Sequence, residues 1–280
     1  MIISVASGKG GTGKTTVAVN LALSLANTRL IDCDVEEPNC HIFVKPDIES
    51  RRKVSIPIPQ VNDDKCDGCG RCQEVCAYNA IAVVNKKVIV FPELCHGCGS
   101  CSYFCPLKAI DEKNKEIGII EAGRKGGTDF VHGRLNIGMM MSPPVIREVK
   151  KYIDKKKTVI IDAPPGTSCP VITAIKDTDF IILVTEPTPF GLNDLSLAIG
   201  VVKKLGIPSG VIINRSDLGN KKVENYCAEE NIPVLMKIPF DRRIAEIYSG
   251  GDVIVEVLPE YKNKFRDLYK KIEAIINNKK

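Results

Sequence analysis

The 280-residue sequence predicts an α/β protein: a doubly wound, mostly parallel sheet with a small α+β domain inserted into it. Three observations carry that expectation. Short β-branched runs alternate with longer amphipathic ones, a glycine-rich turn joins the first run to the first helical pattern, and a stretch that breaks the rhythm holds most of the cysteines.

Residues Ile2 to Ala6, Arg29 to Ile31, Thr158 to Ile161, Phe180 to Thr185, Gly210 to Ile213 and Val234 to Ile238 read as buried strands. Helical patterns cover Lys14 to Ala26, Pro144 to Tyr152, Leu192 to Leu205, Lys221 to Glu230 and Arg242 to Tyr248, several of them ended by Gly or Pro. The chain therefore divides into one domain of residues 1–55 and 117–280 and an inserted domain of residues 56–116, which opens on Ile56-Pro57-Ile58-Pro59 and lacks any long helical pattern.

Hydrophobic residues make up 44% of the chain and charged residues 26%, a mixture that folds rather than staying disordered. Met1 to Ala6 has no basic segment before it and no window is apolar enough to span a bilayer, so a cytoplasmic protein without membrane association is expected. The net charge of +5 is spread thinly, and no nucleic-acid partner is expected. Twelve cysteines in a reducing compartment point to metal binding rather than to disulfides.

Gly8-Lys9-Gly10-Gly11-Thr12-Gly13-Lys14-Thr15 satisfies G-x-x-x-x-G-K-[ST] and lies between a strand and a helix, where a phosphate-binding loop must lie. Its glycines let backbone N–H groups turn toward phosphate oxygens, Lys14 supplies a point charge, and Thr15 offers a hydroxyl to Mg²⁺.

With Thr16 and the early Lys9, this loop resembles the deviant Walker A loop of the MinD/ParA/Mrp group of ATPases, to which the nitrogenase iron protein also belongs. The resemblance covers about 220 residues. It implies a P-loop NTPase fold, ATP hydrolysis with Mg²⁺, and a homodimer in which Lys9 reaches the nucleotide of the other subunit. It also implies that Asp34, in Asp32-Cys33-Asp34, orients or deprotonates the attacking water, and that Asp162, in Asp162-Ala163-Pro164-Pro165-Gly166, lies near the metal. Asn214, Pro239 and Asp241 then belong to the adenine pocket.

The inserted stretch repeats itself. Cys66, Cys69, Cys72 and Cys76 form C-x₂-C-x₂-C-x₃-C, and Cys95, Cys98, Cys101 and Cys105 return it 29 residues later. This is the spacing of bacterial two-cluster ferredoxins, in which the fourth cysteine of each run serves the other cluster. The expected ligand sets are Cys66, Cys69, Cys72 and Cys105 for one [4Fe–4S] centre, and Cys95, Cys98, Cys101 and Cys76 for the second. Paired zinc ribbons would need a long spacer between cysteine pairs.

Cys33, Cys40 and Cys227 read as structural, Cys169 as a small buried residue, Met139 to Met141 as core, and His132 as a residue without a visible partner. The last helix, with Tyr261, Phe265, Leu268, Ile272 and Ile275 at helical spacing, is expected to pack on the sheet. The expected function is ATP-coupled electron transfer to an unidentified redox or iron–sulfur client protein. Cluster assembly or carriage of the Mrp type is one alternative, and a MinD/ParA-like positioning ATPase with structural or sensory clusters is another.

Overall fold

A computed structural model describes residues 1–278. The first part of the chain forms β1 (Ile2–Ala6), α1 (Lys14–Ser24), β2 (Thr28–Asp32), α2 (Cys40–Val44) and β3 (Asp47–Val61). Next come α3 (Arg71–Glu74), β4 (Ile81–Val84), β5 (Lys87–Val90), α4 (Ser100–Tyr103) and β6 (Ile110–Lys125). The remainder forms β7 (Thr128–Leu135), α5 (Pro143–Lys150), β8 (Thr158–Asp162), α6 (Cys169–Ile175), β9 (Phe180–Thr185), α7 (Pro189–Leu205), β10 (Ser209–Asn214), α8 (Lys222–Glu229), β11 (Val234–Ile238), α9 (Arg242–Ser249), α10 (Ile254–Val257) and α11 (Pro259–Asn277).

Nine strands build one sheet in the order β11-β10-β9-β1-β8-β2-β7-β6-β3. From β11 to β7 neighbouring strands run parallel, whereas β6 and β3 add antiparallel pairings at one edge. Buried on both faces, β1 and β9 are apolar almost without interruption, as parallel strands covered by helices must be. One face packs against Val145 and Ile146 of α5, Val171 of α6, Leu195 of α7 and Val223 of α8. The opposite face is covered by Val17 and Leu21 of α1, Phe43 of α2, Ile254 of α10 and Phe265 of α11. The doubly wound arrangement follows from those two apolar layers.

In α11, Tyr261, Phe265, Leu268 and Ile272 are all buried. At about 1.5–3 kcal/mol for each buried side chain, that face holds the helix on the sheet. No helix among the described residues is long and apolar enough to cross a membrane.

Among the described residues, three strands of this sheet have no counterpart in the periodicity, β3, β6 and β7, and neither do β4 and β5 of the separate hairpin. Of these, β3 and β6 form an antiparallel ribbon paired from Asp47↔Arg124 to Val61↔Ile110, and the expected boundaries at 55/56 and 116/117 fall inside it. Pro57 and Pro59 lie in β3 because it is an edge strand. Two residues apart, they present their missing N–H groups to the same side, away from β6. The ribbon ends in residues 62–109, which hold the β4–β5 hairpin and two one-turn helices. Asn85 and Lys86 turn the hairpin with φ of 49° and 64°, the left-handed pair that a two-residue turn requires.

The 29-residue repeat is visible in the backbone. Left-handed φ values recur at Gly68 and Gly97, at Gly70 and Gly99, and at Asn79 and Lys108. α3 corresponds to α4, and the start of β4 to the start of β6.

Candidate nucleotide site and cysteine-lined cavities

The parallel strands deliver their C-terminal ends to one edge of the sheet, where ligands of open α/β sheets bind. Gly8 to Gly13 leave β1 there, with Gly11 and Gly13 at φ of 80° and 93°. Gly8 has no room for a side chain, since a Cβ would lie 2.2 Å from the Asp194 carbonyl oxygen. Gly10, by contrast, faces open space. Lys9 is half-buried, and its carbonyl accepts a hydrogen bond from Ser7 Oγ at 2.7 Å. Thr16 lies in the first turn of α1, where its carbonyl accepts from Asn20 Nδ2 at 2.7 Å.

Lys14 is buried among carboxylates. Its Nζ donates to Asp162 Oδ1 at 2.8 Å and lies 3.6 Å from Asp34 Oδ2. Burial disfavours its charge, but Asp162 and Asp34 override that cost and hold its pKa well above the ordinary lysine value. Thr15 Oγ1 donates to Asp162 Oδ2 at 2.7 Å. Lys14 therefore leaves an excess of negative charge shared among Asp32, Asp34 and Asp162. The adjoining oxygens of Thr15 and Asp162 suit a hard divalent cation such as Mg²⁺. Within the loop, the buried Thr12 hydroxyl has no hydrogen-bond partner among the described residues, which suits a loop that receives an anion.

Asp32 and Cys40 belong to this site although the motif singled out neither. The Asp32 carboxylate accepts the Asp34 and Cys40 backbone N–H groups, each at 3.0 Å, and so fixes the turn that carries Asp34. Burial first, then the charge of Asp162, push Asp32 up. Cys40, expected to be structural, is buried in the core and also donates from Sγ to Asp162 Oδ2 at 3.4 Å. Cys33 and Cys227 are buried in the core as expected.

Asn214, at the end of β10, donates from Nδ2 to the Thr12 carbonyl at 2.9 Å, which ties the expected adenine-side residue to the phosphate loop. Pro239 and Asp241 follow β11 at the same edge. The Asp241 carboxylate caps α9 by accepting from Arg243 N at 2.9 Å, and it pairs with the Arg243 guanidinium at 2.6 Å.

A transverse row leads from this site to the ribbon. Arg51, Glu121, His132, Asp32 and Asp162 are successive cross-strand partners on β3, β6, β7, β2 and β8. His132 has a partner after all: its Nε2 lies 2.9 Å from Glu121 Oε2. Burial lowers the His132 pKa, and Nδ1 has no hydrogen-bond partner among the described residues. Two further expectations are corrected: Met140 is 71% exposed, and Cys169 is exposed at the start of α6.

At the ribbon's end the eight motif cysteines line two cavities. Cys66, Cys69, Cys72 and Cys105 line one, and Cys76, Cys95, Cys98 and Cys101 line the second. Each cavity thus takes three cysteines from one repeat and one from its twin. Ala80 N donates to Cys76 Sγ at 3.3 Å and Ala109 N to Cys105 Sγ at 3.2 Å, equivalent bonds at equivalent positions. Burial, with the nearby Cys95 and Cys98, raises the Cys101 thiol to about 11. Four thiolates so crowded need a cation to hold them, and cavities lined by four cysteines fit a thiolate-ligated iron–sulfur group.

A strand, a G-x-x-x-x-G-K-T loop and a helix, with Asp162 closing the neighbouring strand β8 onto Lys14, define a P-loop nucleotide-binding protein. Comparison with known families agrees: residues 3–255 match the CobQ/CobB/MinD/ParA nucleotide binding domain, and the chain belongs to that family of P-loop ATPases. The uncharacterized protein MJ0579 of Methanocaldococcus jannaschii is 35% identical over 99% of this chain and 97% of its own length. A Pyrococcus horikoshii protein named iron-sulfur cluster carrier protein is 25% identical, covering 90% of this chain and 78% of its own. Among solved structures, the septum site-determining protein MinD of Pyrococcus horikoshii, complexed with Mg-ADP, superimposes with a TM-score of 0.61 at 22% identity, over 100% of this chain and 98% of that one. The fold is that of MinD.

Proposed function

We propose that this chain is an ATP-binding and hydrolysing iron–sulfur protein in which nucleotide-dependent pairing of two copies is coupled to electron transfer through two resident [4Fe–4S] centres. The observation that carries this reading is the partition of eight cysteines into two cavities of four, at the end of a ribbon continuous with the sheet that holds Asp32 and Asp162.

In the nucleotide site, Lys14 would bind the outer phosphates in place of its carboxylate partners, and Thr15 and Asp162 would hold Mg²⁺. Asp34 is the candidate base. Its side chain is 16% exposed, and burial together with Asp162 pushes it up to about 6 against the pull of Lys14, close enough to neutrality to take a proton from water. Lys9 faces the second copy's nucleotide, and Asn214 joins the base side to the loop. A bound [4Fe–4S] centre supplies reversible one-electron chemistry. Cys66, Cys69, Cys72 and Cys105 would hold one and Cys76, Cys95, Cys98 and Cys101 the other, while β3 and β6 connect those loops to the nucleotide domain.

A second reading is cluster carriage, with the cluster as cargo, and the names of relatives such as the Pyrococcus horikoshii carrier protein favour it. Anaerobic reconstitution with iron and sulfide, followed by reduction and reoxidation with Mg-ATP and an apo-acceptor present, separates the two. Electron transfer predicts redox cycling with both centres retained. Loss of iron and sulfide to the acceptor establishes carriage instead.

A further inference from the structure

The two cysteine-lined cavities are related by the 29-residue repeat, and the repeat is broken by charge at one instructive place. Glu112 of β6 lines the cavity of Cys76, Cys95, Cys98 and Cys101. Its Oε1 accepts from Ser102 Oγ at 2.9 Å and lies 3.0 Å from where a Cβ on Gly99 would stand. The positions equivalent to Ser102 and Glu112 are Gln73 and Val83. There the contact persists without a charge, because the Val83 backbone N–H donates to Gln73 Oε1 at 2.6 Å. Val83 itself packs into the small apolar cluster around Cys72, Ile81 and Ile110.

The remaining charges do not restore the balance. Asp67 and Arg71 both line the cavity of Cys66, Cys69, Cys72 and Cys105, where Arg71 also pairs Glu74 at 3.0 Å, whereas among the described residues no Lys or Arg lines the cavity of Glu112. The cavity beside Glu112 has His96 instead, its ring stacked on Tyr78. Pro57 and Pro59 line it too and have no N–H to offer a sulfur. Opposing these, two backbone N–H groups reach its sulfurs, from Ala80 and Gly97, against one from Ala109 at the other. A full charge outweighs one extra N–H dipole, and Glu112 lines the same cavity as Cys95 and Cys98.

We propose that Glu112 makes the two iron–sulfur centres unequal, holding the centre bound by Cys76, Cys95, Cys98 and Cys101 at the lower reduction potential. An anion beside a cluster disfavours the added electron for the same reason that it disfavours a thiolate. This rests on the two-centre reading above. An electron placed on the pair therefore resides on the Cys66, Cys69, Cys72 and Cys105 centre, at the far end of the ribbon near Ile110. The Glu112 centre, packed against Pro57, is the one nearer the nucleotide domain.

The test is a redox titration of the anaerobically reconstituted full chain with dithionite and mediators, followed by electron paramagnetic resonance. The wild type shows two one-electron steps. Glu112→Gln, a conservative change at an exposed position, raises the lower step and leaves the upper one in place. The expected size is a three- to tenfold change in the oxidised-to-reduced ratio at fixed solution potential, at most about 59 mV. Ser102→Ala is a control that removes the hydrogen bond but keeps the charge, and both steps stay apart. Two intact centres whose midpoints do not move in Glu112→Gln overturn the proposal, as does movement of the upper step alone. Absence of any [4Fe–4S] signal from the reconstituted wild type overturns the reading on which it rests.

Discussion

His132 Nε2 lies 2.9 Å from Glu121 Oε2 on adjacent antiparallel strands, and His132 is also the cross-strand partner of Asp32. The pair joins the ribbon to the strand that carries the aspartates of the nucleotide site. His132 is 4% exposed and Glu121 19%. Replacing His132 by Ala leaves a cavity and takes away a hydrogen bond to a charged group, at a cost of about 2–4 kcal/mol. Glu121→Gln keeps an acceptor and should cost about 1 kcal/mol. Urea denaturation of both variants checks the order, and equal losses would show that the contact itself contributes little.

Lys14→Met removes the cation beside Asp162, whose side chain is only 1% exposed, and leaves buried carboxylates facing one another. Breaking such a pair costs about 3–5 kcal/mol, less where a proton can replace the ammonium. The variant is thus expected to lose Mg-ATP binding in calorimetry and to be more destabilised at pH 8 than at pH 5.

Asp34 gives a pH dependence of definite sign. Burial raises its folded-state pKa to about 6 from 3.8, so folding takes up a proton there. That contribution is complete below the unfolded value and is lost as pH rises through about 6. Asp34→Asn lacks this slope, and its stability relative to wild type should climb by on the order of 2 kcal/mol between pH 4 and 7, then level off. Denaturation midpoints across that range test it, and a constant difference would contradict the assignment.

Gly8 and Gly10 are both loop glycines, yet only one is sterically required. Gly8→Ala drives a Cβ against the Asp194 backbone and should cost about 1–3 kcal/mol, whereas Gly10→Ala meets nothing within 4 Å and should stay within about 0.5 kcal/mol of wild type. Thermal melts distinguish them directly.

The nucleotide domain was legible because its strands are buried on both faces and spell themselves out as apolar runs, and because Lys14, Asp34 and Asp162 occupy fixed places after such strands. The ribbon was not. In β3 most residues from Asp47 to Lys53 are exposed and charged, so no two-residue alternation of apolar side chains exists to be read, and Pro57 and Pro59 argue against a strand unless its edge position is known. Cys40 and Asp32 escaped notice for a different reason. Cys40 contacts Asp162, which is remote in sequence, and Asp32 acts by accepting the Asp34 and Cys40 N–H groups, an arrangement whose one local hint is an acidic residue eight positions before the cysteine that opens α2. His132 needed β6, a strand the periodicity did not reveal, to supply Glu121.

The crossing of cysteines between the two cavities has a consequence for the history and engineering of the module. A single repeat, expressed alone, brings three cysteines to its own cavity and exports the fourth, so neither half is a smaller working version of the whole. Cutting the chain between β4 and β5 does not yield two independent one-centre proteins. It yields two fragments that each lack one thiol and can complete their cavities only by finding one another, as two copies of an unduplicated ancestor would have had to do.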